Sequence, residues 1–201
     1  MSLKRASVLI VAWLGSLWLS GPAPAAAQAV NVFAAFTGHI ERQIQRDKQS
    51  FHDAQICTEW FYKQQKKPGQ PKAEGVAFPA VQTSDCPARY PGGLTAARED
   101  FSSTQSALSL SLTFYQFALV GDRNDDGRYN AAELQDVLES FELTYDTNRP
   151  DSIHLIVLTG TFDGLHKTGG LERLMTSMGV LYDKGYRLTP RDRGTLDKIT
   201  K

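Results

Sequence analysis

Asp122-Arg123-Asn124-Asp125-Asp126-Gly127-Arg128-Tyr129-Asn130-Ala131-Ala132-Glu133 is the stretch that decides how this chain is read. Side-chain oxygens recur at every second residue through Asp122, Asn124 and Asp126, return at Asn130 and close at Glu133. A ring of oxygens without nitrogen or sulfur suits a hard cation that takes six to eight oxygen donors. Gly127 follows the third oxygen, where a chain wrapped around so small a sphere must bend through positive φ, which a Cβ resists. Arg128 has the wrong charge for such a cage, yet its backbone carbonyl can serve while its side chain leaves for solvent. Asp122, Asp126 and Glu133 bring three formal negative charges, enough to favour a divalent cation without severe self-repulsion. Asp125 adds charge outside that ring.

The flanks have helical periodicity. Upstream, Phe101, Leu108, Leu112, Tyr115 and Leu119 recur at helical spacing, with Thr95 as the expected cap. Downstream, Leu134, Val137, Leu138 and Phe141 form one apolar stripe, with Gln135, Glu139 and Ser140 off it. Helix, loop and helix over about residues 105–143 resemble the EF-hand family, whose loop pattern D-x-[DN]-x-[DN]-G-x5-E is matched at every side-chain position. The resemblance implies a calcium ion held by Asp122, Asn124 and Asp126 at loop positions 1, 3 and 5 and by the Arg128 carbonyl at 7. It further implies Asn130 at position 9, directly or through a water, and both carboxylate oxygens of Glu133 at position 12. Tyr129 takes the inward hydrophobic position 8. Gly121 departs from the family, which places a bulky apolar residue there. Gly121-Asp122 through Asn130 also resembles a dockerin repeat, but dockerins carry two repeats and lack a long incoming helix. This chain shows one repeat and a long helix, so the EF-hand is the better reading, with a solvated acidic loop as the alternative.

Residues 1–29 read as a secretory signal peptide: Lys4 and Arg5, an apolar core from Ala6 to Ser20, and a small-residue tail ending Ala27-Gln28-Ala29. Ala25-Ala26-Ala27 is a second cleavage option, and a retained membrane anchor is the alternative. The apolar run is 15 residues, against the roughly 20 that a spanning helix needs. Cleavage leaves one domain, residues 30–201, with twenty basic and twenty-two acidic residues, a net charge of −2. No basic run points to nucleic acid or anionic lipid. The expected location is secreted or periplasmic, with no membrane contact after cleavage. Cys57 and Cys86 are the only cysteines, and an even pair in an exported chain reads as a disulfide, two free thiols being the alternative.

The fold expected is all-α. Val32 to about Lys66 is an amphipathic helix with a break near Ser50 as an option. Lys67 to Gly93 holds five prolines and four glycines without periodicity, a long connection that the disulfide would pin to the first helix. Ser152 to Phe162 reads as helix, a short strand being the alternative. Asp163 to Gly170 reads as a turn with three glycines, followed by a helix through Leu171, Leu174, Met175, Met178 and Leu181 and a last helix opened by Pro190. Residues 171–200 are either a degenerate second EF-hand or an ordinary helical hairpin capped by Thr189 and Asp192. Aligned as a hand, Leu181, Gly185 and Tyr186 fall at positions 1, 5 and 6 and cannot hold calcium, while Leu188 falls at position 8, opposite Tyr129.

Catalytic motifs are missing. There is no H-E-x-x-H, no glycine-rich phosphate loop and no G-x-S-x-G, since Met175 to Gly179 fails at its first position. His39 and His52 lie thirteen residues apart, about 220° around one helix, and do not converge. His154 reads as a core histidine and His166, beside Asp163, as a solvated loop residue. The expectation is a non-enzymatic calcium-binding protein in which calcium is mainly structural. A calcium-dependent docking module for an unidentified protein partner and a secreted enzyme with a structural calcium are the alternatives.

Overall fold

A computed structural model describes residues 30–65 and 83–200, so the signal segment and the first part of the proline-rich connection lie outside the described residues. Seven helices follow one another: α1 (Val32–Gln65), α2 (Cys86–Arg89), α3 (Gly93–Gly121), α4 (Ala131–Ser140), α5 (Asp151–Thr168), α6 (Leu171–Asp183) and α7 (Pro190–Thr200). No strand occurs among the described residues, and none of their helices is long and apolar enough to cross a membrane.

Helix α1 starts where the Asn31 side chain accepts the Ala34 amide at 3.1 Å. It runs unbroken through Ser50 for 34 residues, a rod of about 51 Å. Its polar half holds because amide–carboxylate pairs one turn apart, Gln43–Asp47, Gln49–Asp53 and Gln55–Glu59, brace the surface at 2.7, 2.7 and 3.1 Å. Helix α3 lies antiparallel along it. Tyr115 meets Glu41, Ser111 meets Asp47, Phe101 stacks on Phe51 and the Ala97 carbonyl accepts from Thr58, so contacts climb α1 as they descend α3.

At the far end of this pair Cys57 and Cys86 form a disulfide, buried with Tyr90 and Ala97. Arg89 adds an ion pair to Asp53 at 2.8 Å. The last part of the connection is therefore ordered against α1, with a short 3-10 turn at Thr83–Asp85 ahead of α2. Helix α3 begins two residues before Thr95, with Gly92 at the cap position, so Thr95 is already inside the first turn. The main core forms where α3, α4 and α5 converge: Phe114 packs on Phe141 and Phe162 at centroid distances of 5.8 and 4.9 Å, and Phe117 on Phe141 at 4.9 Å.

Helix α5 corrects the expected glycine turn. It continues through Gly160 and Gly164 to Thr168 and stops only at Gly169, which is left-handed at φ 73°. The apolar spacing of Leu158, Phe162 and Leu165, all buried, carries the helix past both glycines. His166 is thus helical, not a loop residue. Helix α7 opens with the capping box expected: Thr189 Oγ1 accepts the Asp192 amide and Asp192 Oδ2 accepts the Thr189 amide.

A Cβ at Gly164 would meet nothing within 4 Å. Gly164→Ala should therefore raise stability by about 0.5–1 kcal/mol through helix propensity alone. Chemical denaturation checks this, with an increased midpoint at unchanged slope expected.

Candidate metal centre

Loop 122–133 joins α3 to α4, and its geometry starts from Gly121. A Cβ there would lie 2.6 Å from Val137 Cγ2 and 3.1 Å from the Tyr129 ring. The missing side chain lets α4 cross close over the end of α3. It also seats Tyr129, whose hydroxyl donates to the Ala118 carbonyl at 2.7 Å and whose ring meets Phe33 of α1 edge-on at 5.3 Å. Burial, reinforced by the charges of Asp122 and Glu133, holds the Tyr129 phenol well above its ordinary pKa, so it remains a donor.

Within the loop the carboxylates of Asp122, Asp126 and Glu133 turn back onto the loop's own amides. Asp122 Oδ2 accepts the Gly127 amide at 2.8 Å and Oδ1 the Asp126 amide at 3.3 Å. Asn124 Oδ1 accepts the Asp126 amide, and Asp126 Oδ1 accepts the Arg128 amide at 2.9 Å. These are successive side-chain turns that wind the backbone around its own oxygens. Asn130 caps α4 and Glu133 completes the box: Asn130 Oδ1 accepts the Glu133 amide and Glu133 Oε2 accepts the Asn130 amide. Glu133 Oε1 reaches back to the Asn124 amide at 3.3 Å. The side chains of Asp122, Asn124, Asp126, Asn130 and Glu133 thus belong to one hydrogen-bonded loop. Arg128 is exposed, leaving its carbonyl as the group it could offer.

The electrostatics are unbalanced. Asp122 and Glu133 are each 3% exposed, and neither has a cationic partner among the described residues. Burial raises the Asp122 carboxyl, the amides of Gly127 and Asp126 pull it back, and the charges of Glu133 and Asp126 push it up again, with a net rise. Among the described residues no three His, Cys, Asp or Glu side chains are gathered as a metal cluster. The donor set still fits a hard cation, because it is all oxygen and includes two asparagines and a carbonyl.

The C-terminal turn abuts this loop. Thr189 Oγ1 donates to Asp125 Oδ2 at 3.1 Å, Arg191 donates to the Asp125 carbonyl at 2.9 Å, and the Arg123 guanidinium lies over the Tyr186 ring at 5.5 Å. Helix α7 packs on α3 and α6 on α4. Lys184 and the Tyr186 hydroxyl both bind Asp136 of α4, at 2.5 and 2.7 Å. Burial favours the neutral Asp136 carboxyl, but these two hydrogen bonds outweigh it and keep the group below its ordinary range. No β-bridge joins Tyr129 to Leu188 among the described residues, so the two turns meet through side chains.

A second polar cluster escaped the sequence. Asp47, buried in α1, accepts from Ser111 of α3 at 2.6 Å, from Gln43 at 2.7 Å and pairs with His166 of α5 at 2.9 Å. Serine, aspartate and histidine meet here, but the Ser111 hydroxyl donates to the acid and not to the histidine, and Ser111 is fully buried. A nucleophile needs its base within reach and a path for substrate, so the cluster reads as a tie between three helices. The signal was present: Asp47 interrupts the apolar stripe of Ile40, Ile44 and Phe51. Asp163 pairs instead with His39 at 2.8 Å. His154 is buried with Nε2 toward the Asp146 amide at 3.4 Å, while its Nδ1 has no hydrogen-bond partner among the described residues.

Comparison with known family models, curated proteins and solved structures finds no match to this chain.

Val137 is fully buried and β-branched, so it has little freedom to yield to a new methyl group. Gly121→Ala should cost about 1–3 kcal/mol by overpacking. A thermal melt would show this as a lower midpoint, whereas an unchanged midpoint would mean α4 moves freely over the end of α3.

Proposed function

We propose that this is an exported, non-enzymatic calcium-binding protein whose loop 122–133 is an EF-hand and in which calcium is mainly structural. The observation that carries the reading is the buried pair Asp122 and Glu133, without an ion-pair partner among the described residues, inside a loop with the complete oxygen pattern. Asp122, Asn124, Asp126, Asn130 and Glu133 would hold the ion by side chain and Arg128 by its carbonyl, and the ion would supply the positive charge that the loop lacks. The Cys57–Cys86 bond supports an oxidising destination, hence a secreted or periplasmic protein.

The C-terminal hairpin is best read as a metal-free partner hand. Two observations favour this: α7 packs on α3 while α6 packs on α4, and its turn touches the first loop at Arg123 and Asp125. Its positions 1 and 5, Leu181 and Gly185, offer no side-chain oxygen, so one ion per chain follows.

Titration calorimetry on the mature protein should therefore give a single site, at the modest affinity of about 10⁻⁴–10⁻³ M usual for extracellular modules. Glu133→Gln retains the capping box, because glutamine serves at that position, but removes the bidentate charge. It should weaken binding at least tenfold, far more than Asp125→Asn. Equal effects from the two would sink the ligand assignment, and two ions per chain would show that the second turn also binds.

Calcium at about twenty times its dissociation constant stabilises by roughly 1.8 kcal/mol. A melt with calcium should accordingly end a few degrees higher, with less binding of an apolar-surface dye. Increased dye binding on adding calcium would instead mark a sensor that exposes a groove for a protein partner.

A further inference from the structure

Two residues of the loop have left-handed backbone, Asp125 at φ 57° and Gly127 at φ 79°. Side chains from outside the loop hold the carbonyls of both. Arg191 Nη1 donates to the Asp125 carbonyl at 2.9 Å, and Asn31 Nδ2 donates to the Gly127 carbonyl at 3.0 Å. Thr189 adds its hydroxyl to Asp125 Oδ2 at 3.1 Å, and Arg191 lies 3.5 Å from Oδ1. The donors come from opposite ends of the described chain: Asn31 caps α1, while Thr189 and Arg191 open α7. Left-handed backbone is sparsely populated for a residue with a Cβ, and Asp125 is gripped at its carbonyl and at both carboxylate oxygens.

Resting on the calcium reading above, we propose that Asn31, Thr189 and Arg191 are positioning residues for the metal loop. They set its two left-handed turns before the ion arrives, so that the first and last helices tune calcium affinity from outside the ligand shell. The side-chain oxygens of Asn31 and Thr189 are engaged with the Ala34 amide and with Asp125 and Asp192, and arginine has none. The ordering of the loop is then completed by folding and not charged to binding, which is how preorganisation raises affinity.

Arg191 makes the idea testable by sign. Its positive charge opposes a bound cation, so on Coulomb's law alone its removal tightens binding. As a positioning residue its removal weakens binding. At about 0.5 M salt, where the screening length is about 4 Å, the charge effect largely disappears and the positioning effect remains.

The test uses the mature chain with calcium chloride at that salt concentration, by calorimetry and by chelator-triggered release. Asn31→Ser keeps a capping oxygen for α1 but withdraws the donor from Gly127. Asn31→Ser and Arg191→Ala should each raise the dissociation constant about 3–10-fold, the worth of one hydrogen bond, mainly through faster release. Arg191→Lys, which retains a donor, should recover part of the loss. In the calcium-free protein, the melting midpoint should move little while amide exchange over residues 125–128 accelerates. Unchanged or tighter binding in both variants would overturn the proposal, as would weakening that merely tracks a fall in the calcium-free melting midpoint. If the parent chain takes no calcium, the loop reading falls and this proposal with it, an outcome distinct from a parent that binds and variants that bind equally well.

Discussion

The pairing of α1 with α3 is the constraint on which the other elements depend. Two long helices lie antiparallel, closed at one end by the Cys57–Cys86 bond and at the other by Asn31 against Gly127. Between those ends the contact is not purely apolar. Asp47 sits on the stripe of Ile40, Ile44 and Phe51, and its carboxylate is satisfied by groups on three helices: Gln43 of α1, Ser111 of α3 and His166 of α5. A buried acid left without such partners costs several kcal/mol, so a register shift of α3 or α5 against α1 would be penalised at this point. Apolar packing tolerates sliding far better. The polar cluster thereby fixes the axial position of α3, and with it the place where α3 ends and the loop begins.

From that end the geometry propagates locally. Gly121 admits α4 at close range, Asn130 and Glu133 lock its first turn, and Tyr129 ties the loop back to α1 through Phe33. Helix α4 is then bound to the C-terminal turn by Asp136, which takes both Lys184 and Tyr186. The loop is consequently touched by elements far apart in sequence. That is why its outward hydrogen bonds, and not only its inward oxygens, belong to any account of what it does.

How much of this was readable beforehand follows the range of the interactions. Features set within a few residues were legible: the all-helical class, the loop pattern, the stripe of α4, the capping box of α7. Glycine was the weak point, because its meaning depends on space that only the fold defines. Gly164 looks like a turn residue yet sits on the exposed face of a helix, whereas Gly121 looks like a departure from the pattern and is a contact point. Thr95 was a plausible cap, but the turn at Gly92 and Gly93 started α3 earlier. The partners of Asn31, Asp47 and Arg191 lie 96, 64 to 119 and 66 positions away, beyond the reach of local pattern. Asp47 alone left a trace, as an acid on an apolar stripe.

Under the calcium reading, the same magnitudes decide between a structural ion and a switch. A switch between well-separated states needs about 5.5 kcal/mol of differential binding, and a weak site at twentyfold saturation supplies roughly a third of that. Gripping the loop from both sides moves the balance further from switching. Each outside hydrogen bond that fixes Asp125 or Gly127 in the ion's absence makes the calcium-free loop resemble the calcium-bound one, and a ligand shifts an equilibrium only by its preference between states. What the ion still changes is the charge: Asp122 and Glu133 are both buried, with no ion-pair partner among the described residues. A site whose backbone is already arranged and whose charge is uncompensated gains stability from calcium with little change of shape, which is the behaviour of a structural ion.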